Sequence, residues 1–370
     1  MEQTPGQPSS RPRSDDDALT DLFEHEADSG SGGTRRAARE HGKKKRRGPK
    51  ILLWTLVGVL IVAVAGAGII WWNVNQAFNN IEKIDDALPG DYEGRPEQVV
   101  TEAGSPMNIL LLGSDSRVSG STSIMTDLGS RSDTMMLVHI PADRSDVQVI
   151  SIMRDSWLAI PGHGEAKINA ALSFGGVPLV VQTVEGLLGL RIDHVGVVDF
   201  DGFAGITDAL GGVTINNDVA FNSSHMQGKT FEAGPITLTG DEALAFVRER
   251  YAFTDGDYQR VRNQQAWVKA VLDKMLTAET LTNPGKVQEI ITKFSPFIAV
   301  DSTFDLQTML NLGLSMRDIR GSNVRSFTLP TNGTGMVGDQ SVVFLDTVSI
   351  GELKKHLVTD TVSEYQPTGR

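Results

Sequence analysis

Cysteine is absent from all 370 residues, which excludes disulfide frameworks, thiolate zinc sites and cysteine nucleophiles together. A surplus of positive charge is also missing. Lys and Arg number 34 against 46 Asp and Glu, a net charge of -12, so a general nucleic-acid binder, whose affinity comes from a positive surface, is disfavoured. Familiar catalytic signatures are missing too: the chain has no G-x-S-x-G elbow, no Walker A loop and no H-E-x-x-H, and its seven His show no metal-ligand spacing. What is present, 40% hydrophobic and 22% charged residues, rules out collagen-like, coiled-coil and wholly disordered chains. The length suits one large domain or two small ones with appendages.

Charge is unevenly spread. Residues 1–50 hold eleven Lys or Arg and nine acids, whereas residues 73–370 carry 23 bases and 37 acids. Between them the run Ile51–Trp72 has 22 residues without a charge, enough at about 1.5 Å per residue to span the ~30 Å core of a bilayer. It ends in Trp71 and Trp72 rather than at a small-residue cleavage site, so a retained single-pass membrane helix is expected. Arg35–Lys50, with nine bases and one acid, places the N-terminus in the cytoplasm by the positive-inside rule. Residues 73–370 are then expected outside the cytoplasmic membrane.

The expected organisation is a disordered cytoplasmic tail with a polybasic end (1–50), the membrane helix (51–72), a juxtamembrane helix and linker (73–106), a globular domain (107–357) and a C-terminal tail (358–370). Within 73–106, Val74–Leu88 is expected as a short polar helix and Pro89–Pro106 as a Gly- and Pro-punctuated linker. The apolar runs MNILLLGSD, DTMMLVHI and VQVISIMRDSWLAI are expected as buried strands. Ala166–Leu172 and Val177–Leu190 have helical spacing, and Phe203–Leu210 is a helix stopped by Gly211 and Gly212. Thr239 and Glu242 form a capping box, and Asp257 is expected to cap a longer helix. The alternation implies a layered α/β or α/β/α domain.

Charged residues cluster at the ends of these strands: Asp115 and Arg117 after ILLLG, Arg131 and Asp133 before TMMLV, Arg154 and Asp155 after VISIM. Ligands of open α/β sheets bind at strand ends, and so many charges would cost several kcal/mol each in a core, so they are expected to line a cleft. Downstream, Arg248 and Arg250 in FVRERY share one face if extended, and Arg260 and Gln264 share one face of the following helix. Converging Arg side chains suit a polyanion such as a pyrophosphate, and Asp115 with Asp133 would suit Mg²⁺. A salt-bridged surface is the alternative reading. Lys167 and Asn169 fit either the phosphate site or ordinary helix-start solvation, and His139 and His194 read as structural histidines.

NILLLGSDSR, RSDTMMLVHI, VISIMRDSWLAIPG, KINAAL, VDFDGFAGITDALGGVTI, LTGDEALAFVRERY and DYQRVRNQQ, in that order, resemble the LytR-CpsA-Psr family of bacterial cell-envelope proteins. The resemblance implies a three-layer α/β/α sandwich with a central mixed sheet and an apolar tunnel for a polyprenyl chain. It implies a Mg²⁺-dependent phosphotransferase that moves a glycopolymer from a polyprenyl pyrophosphate carrier onto peptidoglycan outside the cytoplasmic membrane, with no nucleic acid as partner. Carried over by motif, Asp115 and Asp133 hold the metal, and Arg131, Arg154, Arg248, Arg250 and Gln264 contact the pyrophosphate. Arg117 and Arg260 match motif positions of looser role, and Asp115, Asp133 and Arg154 form the catalytic set. Asp115, Asp133 or Asp155 would take the acceptor hydroxyl's proton. Asn263 stands where the family commonly has Arg. Rival readings are a membrane-bound regulator, a non-catalytic carrier-binding protein and a polyprenyl pyrophosphate hydrolase.

Overall fold

The structure is a computed structural model that describes residues 48–114, 123–125, 132–277, 280 and 282–367. Two units are distinguished, residues 1–58 and 59–370. In the first, the described residues, from Gly48 on, are helical. The second holds every strand found among the described residues, and the site described below.

Helix α1 runs Gly48–Asn79. Its stretch Leu60–Asn79 is long and apolar enough to cross a membrane, and Ile61, Val64, Ile69 and Trp72 are each more than 60% exposed. The helix does not break after Trp72. Val74, Ala77 and Phe78 repeat at i, i+3, i+4 and are buried in the domain core, so the last turns of α1 pack as an amphipathic helix. This corrects the short helix expected over Val74–Leu88: α1 ends at Asn79, and strand β1 (Glu82–Ile84) follows.

The remaining strands are β2 (Met107–Ser114), β3 (Thr134–Ile140), β4 (Val147–Ile152), β5 (Ser156–Ile160), β6 (Gly164–Lys167), β7 (His194–Asp199), β8 (Val213–Asn217), β9 (Phe221–Asn222), β10 (Thr230–Phe231), β11 (Gly234–Leu238), β12 (Ile298–Asp301), β13 (Val324–Thr328), β14 (Thr331–Val337) and β15 (Gln340–Leu345). The helices after α1 are α2 (Ala170–Leu188), α3 (Phe200–Ala209), α4 (Gly240–Arg248), α5 (Asp257–Met275), α6 (Pro284–Phe294), α7 (Leu306–Ser315) and α8 (Thr347–Val358).

Seven strands form a mixed sheet in the order β1-β12-β7-β2-β3-β4-β13. β7 and β2 pair in parallel, and β2, β3 and β4 are successively antiparallel. Strand periodicity divides the apolar residues between two faces. Leu110, Leu112, Leu137, Ile150 and Val195 pack with Val180 and Val184 of α2 and Leu353 of α8. Ile109, Met136, Val138 and Val149 pack with Phe78 of α1, Ile291 of α6 and Leu312 of α7. The fold is mixed α/β.

Two sequence expectations change here. VQVISIMRDSWLAI is not one strand: β4 ends at Ile152, the chain turns with Ser156 N–H donating to the Met153 carbonyl at 3.0 Å, and β5 joins a second sheet, β14-β15-β5-β6. Charged Arg154 and Asp155 occupy the turn, where they avoid the desolvation that a continuous buried strand would impose. Of the two helices expected between 166 and 190, the second is present as far as Leu188, whereas the first begins only at Ala170, after strand β6; the two meet in α2 at a break at Gly175–Gly176, with Gly176 at φ 67°.

Residues 89–106 are fastened to the domain. Buried Glu185 of α2 accepts from Tyr92 Oη at 2.7 Å, from Arg95 Nη2 at 3.1 Å and from Ile192 N–H at 3.0 Å. His139 contacts Asn108 at 2.8 Å and Asp360 at 3.1 Å, and His194 lies 3.2 Å from Asp301. Both are satisfied core histidines.

Candidate functional site

The end of β2, the start of β3 and the end of β4 meet at one edge of the sheet. Gly113 pairs with Thr134, and Asp133 N–H donates to the Gly113 carbonyl at 2.8 Å. Asp133 therefore enters β3 beside the last residues of β2. Met135 pairs with Ile152, which brings Arg154, two residues farther, to Asp133, and the two side chains form an ion pair. Arg154 Nε also lies 3.4 Å from Asp155, whose other oxygen holds Lys167 at 3.0 Å.

From the other side come α4 and α5. Glu242 accepts from Thr239 N–H at 3.0 Å, half of the reciprocal cap expected at the start of α4. At the other end Arg248 closes the helix and Glu249 is extended at ψ 128°. The extended geometry buries Glu249 between half-exposed Arg248 and Arg250, turning both arginines the same way. Gly256, not Asp257, is the N-cap of α5. Its φ of 41° lets the chain turn into the helix, a conformation open to glycine at little cost. Asp257 sits in the first turn, 3.3 Å from Arg260 and 3.7 Å from Arg250. Gln264, four residues after Arg260, lies on the same face. Asn263 is buried and donates to the Phe246 carbonyl at 3.0 Å, so it ties α5 to α4.

Asp133, Arg154, Arg248, Arg250, Arg260 and Gln264 line one recess of about 150 Å³. Asp115, Arg117 and Arg131 lie outside the described residues. Burial opposes the charge on Arg154, but the bond to Asp133 together with the charges of Asp133, Asp155 and Asp257 prevails and holds this guanidinium above its ordinary value. Arg260 goes the other way: burial lowers it, and Asp257 does not compensate fully. Among the described residues its buried Nε has no hydrogen-bond partner. An anion entering the recess would satisfy that donor, which a purely salt-bridged surface would not leave open.

Two further residues line the recess, His225 and Tyr251. Tyr251 directly follows the Arg-x-Arg pair, and an aromatic beside two cations was a readable signal. His225 sits in the loop joining β9 to β10, and nothing in its spacing announces it.

Among the described residues, no group of three His, Asp or Glu converges as a metal site. Mg²⁺ commonly takes one or two carboxylates and completes its shell with water and substrate phosphates. Asp133, an oxygen donor at the recess, fits that pattern, and Asp115 follows β2 directly in sequence.

The LytR_cpsA_psr family model matches residues 72–359. A Bacillus anthracis protein named polyisoprenyl-teichoic acid–peptidoglycan teichoic acid transferase TagU is 36% identical over 261 residues, covering 70% of this chain and 82% of its own. An Enterococcus faecalis protein of the same name is 30% identical over 297 residues, covering 79% and 91%. Among solved structures, B. subtilis TagV aligns with a TM-score of 0.60 at 25% identity over 71% of this chain and 98% of that one. TagT bound to LI-WTA aligns with a TM-score of 0.55 at 26% identity, over 72% and 97%. With its motifs in order, its mixed sheet shared and most of its length matched, the chain belongs to the LytR_cpsA_psr family.

Proposed function

We propose that this protein transfers a glycopolymer from a polyprenyl pyrophosphate carrier to peptidoglycan on the outer face of the cytoplasmic membrane. One observation carries the reading: four arginines from three separate stretches of chain converge on a recess where the buried Arg260 Nε has no hydrogen-bond partner among the described residues. The names of the TagU relatives, as teichoic acid transferases acting on peptidoglycan, support the same class of reaction.

In the proposed step an acceptor hydroxyl oxygen attacks the phosphorus that bears the glycan. The bond from that phosphorus to the bridging oxygen breaks, and polyprenyl phosphate leaves with the electron pair. Arg154, Arg248, Arg250 and Arg260 bind the pyrophosphate oxygens and stabilise the charge that develops on the leaving phosphate. Gln264 donates to a phosphate oxygen. Mg²⁺, held by Asp115 and Asp133, would supply further charge neutralisation. For the hydroxyl proton the candidates are Asp115, Asp133 and Asp155, of which Asp133 lines the recess.

The carrier's tail has a berth. A cavity of about 710 Å³, almost wholly apolar, is walled by Ile70 and Val74 of α1, Leu276, Ile291 of α6 and Leu310 of α7. It begins at the far end of α5, whose Gln264 and Met275 are eleven residues, or about 16 Å, apart along the helix axis. α1 as a single-pass anchor with a cytoplasmic N-terminus completes the reading, as does an α/β/α sandwich, favoured by the helices that pack with each sheet face.

The test is reconstitution. The full-length protein, Mg²⁺, a lipid-linked glycan pyrophosphate and peptidoglycan should yield polymer bound to peptidoglycan and polyprenyl phosphate in equal amounts. Free glycan phosphate with polyprenyl phosphate, and no polymer on peptidoglycan, would make it a hydrolase, and carrier binding without turnover an anchoring protein.

A further inference from the structure

The arginine recess, at about 150 Å³, has room for little beyond a pyrophosphate, so whatever sugar is joined to that group must lie over its rim. Tyr251 and His225 form part of that rim. Tyr251 is 69% exposed, an unusual state for a large aromatic. It is nevertheless held in place: Arg250 Nη2 donates to its hydroxyl at 2.7 Å, and the Arg250 guanidinium carbon lies 4.7 Å from the ring centroid. The His225 ring is 6.4 Å from it, at 49°.

The two backbone segments that carry these rings are tied together by one buried carboxylate. Glu249 accepts from Tyr251 N–H and Arg250 N–H at 3.0 Å each, from Ala252 N–H at 3.2 Å and from Ser224 N–H at 2.6 Å. Ser224 Oγ adds a contact at 2.9 Å. A single side chain thus ties the turn carrying Tyr251 to the loop carrying His225. Burying a carboxylate is costly unless it is fully hydrogen-bonded, as this one is. Such an arrangement sets the position of two exposed rings.

We infer that Tyr251 and His225 form a saccharide subsite against which the C–H face of a pyranose ring packs, with Glu249 as the positioning residue. The assignment deepens the proposed transfer and rests on it. The ring belongs to the donor, as the first sugar on the pyrophosphate, or to the acceptor. The chemistry recognised is the same.

The experiment compares two probes on the full-length protein in detergent: bare polyprenyl pyrophosphate, and the same carrier bearing one N-acetylhexosamine. Tyr251→Ala should weaken binding of the glycosylated carrier about tenfold while leaving the bare carrier within about twofold. Tyr251→Phe, which keeps the ring, should retain most of the preference. Glu249→Gln, confirmed as folded by circular dichroism, should show the same split between the carriers. If Tyr251→Ala instead raises the KM for a peptidoglycan fragment with donor affinity unchanged, the ring is the acceptor's and the subsite stands. Equal weakening of both carriers would reduce Tyr251 to a prop for Arg250 and overturn the subsite, as would no effect on either carrier or acceptor. A wild-type protein that fails to bind the bare carrier would refute the pyrophosphate reading, whereas Tyr251-dependent binding of the sugar would stand apart from it.

Discussion

Replacing Asp133 by Asn separates structural from catalytic charge at the recess. The substitution keeps size and one acceptor oxygen but removes the charge paired with Arg154. Their side chains are 9% and 24% exposed, so solvent screens the pair weakly, and a hydrogen bond between charged groups there is worth about 1.5–3 kcal/mol. Arg154 retains Asp155 at 3.4 Å, which places the expected loss of stability at the lower end, about 1.5 kcal/mol. Transfer should fall far more, by roughly 10²–10³, the scale of losing one electrostatic contribution to a transition state. Excess Mg²⁺ should restore part of it, because a weakened hard-cation site is filled by mass action. Carrier binding should persist, since removing a negative charge beside a pyrophosphate does not repel it. Urea denaturation, carrier binding and transfer measured on one preparation give three independent readings. Wild-type transfer in a folded Asp133→Asn protein would refute the metal-assisted mechanism, and so would loss of carrier binding in step with transfer.

Other perturbations probe other links. Arg248→Ala with Arg250→Ala should leave the fold intact and weaken polyprenyl pyrophosphate binding by at least about tenfold; unchanged affinity would return these arginines to a surface role. Arg95→Ala leaves the buried Glu185 carboxylate without its guanidinium and should destabilise the protein by about 3–5 kcal/mol in chemical denaturation, whereas a value near zero would mean that residues 89–106 are not fastened as described. Burial works against the Asp301 charge, but bonds from His194, Thr303 and Val195 N–H prevail and hold the carboxyl below its ordinary value. A depressed folded value means that its contribution is complete above the unfolded pKa of about 3.9 and fades as pH falls through the folded one. The melting temperature of Asp301→Asn should therefore depend less steeply on pH below about 4 than that of the wild type, and parallel profiles would contradict this. A reporter active only outside the cell should work when fused at Arg370 and fail at Met1; the reverse would overturn the topology and the transfer reaction with it.

The sequence by itself determined what depends on local pattern. A run of 22 uncharged residues reads as a helix suited to hydrocarbon because its length and composition alone set that preference. β2 and β3 were legible as short apolar runs bounded by polar residues, and α5 as a longer helix beginning near Asp257. Six of the site residues were legible on two grounds: Asp133 and Arg154 as charge at the end of a buried strand, which has to leave the core, and Arg248, Arg250, Arg260 and Gln264 by spacings that put each pair on one face. Tertiary structure decided what depends on partners distant in the chain. VISIMRDSWLAI has apolar residues on both sides of Arg154 and Asp155, and only the strands available on either side split it between two sheets there. The turns after Trp72 read as a separate polar helix until sheet and helices close over Val74 and Phe78. His225 gives no local signal, since its place at the recess comes from Glu249 reaching Ser224, 25 residues back in the chain. Periodicity records which face of an element is apolar; which other element covers that face, and which loop is drawn to the site, follows from contacts that no single stretch of sequence contains.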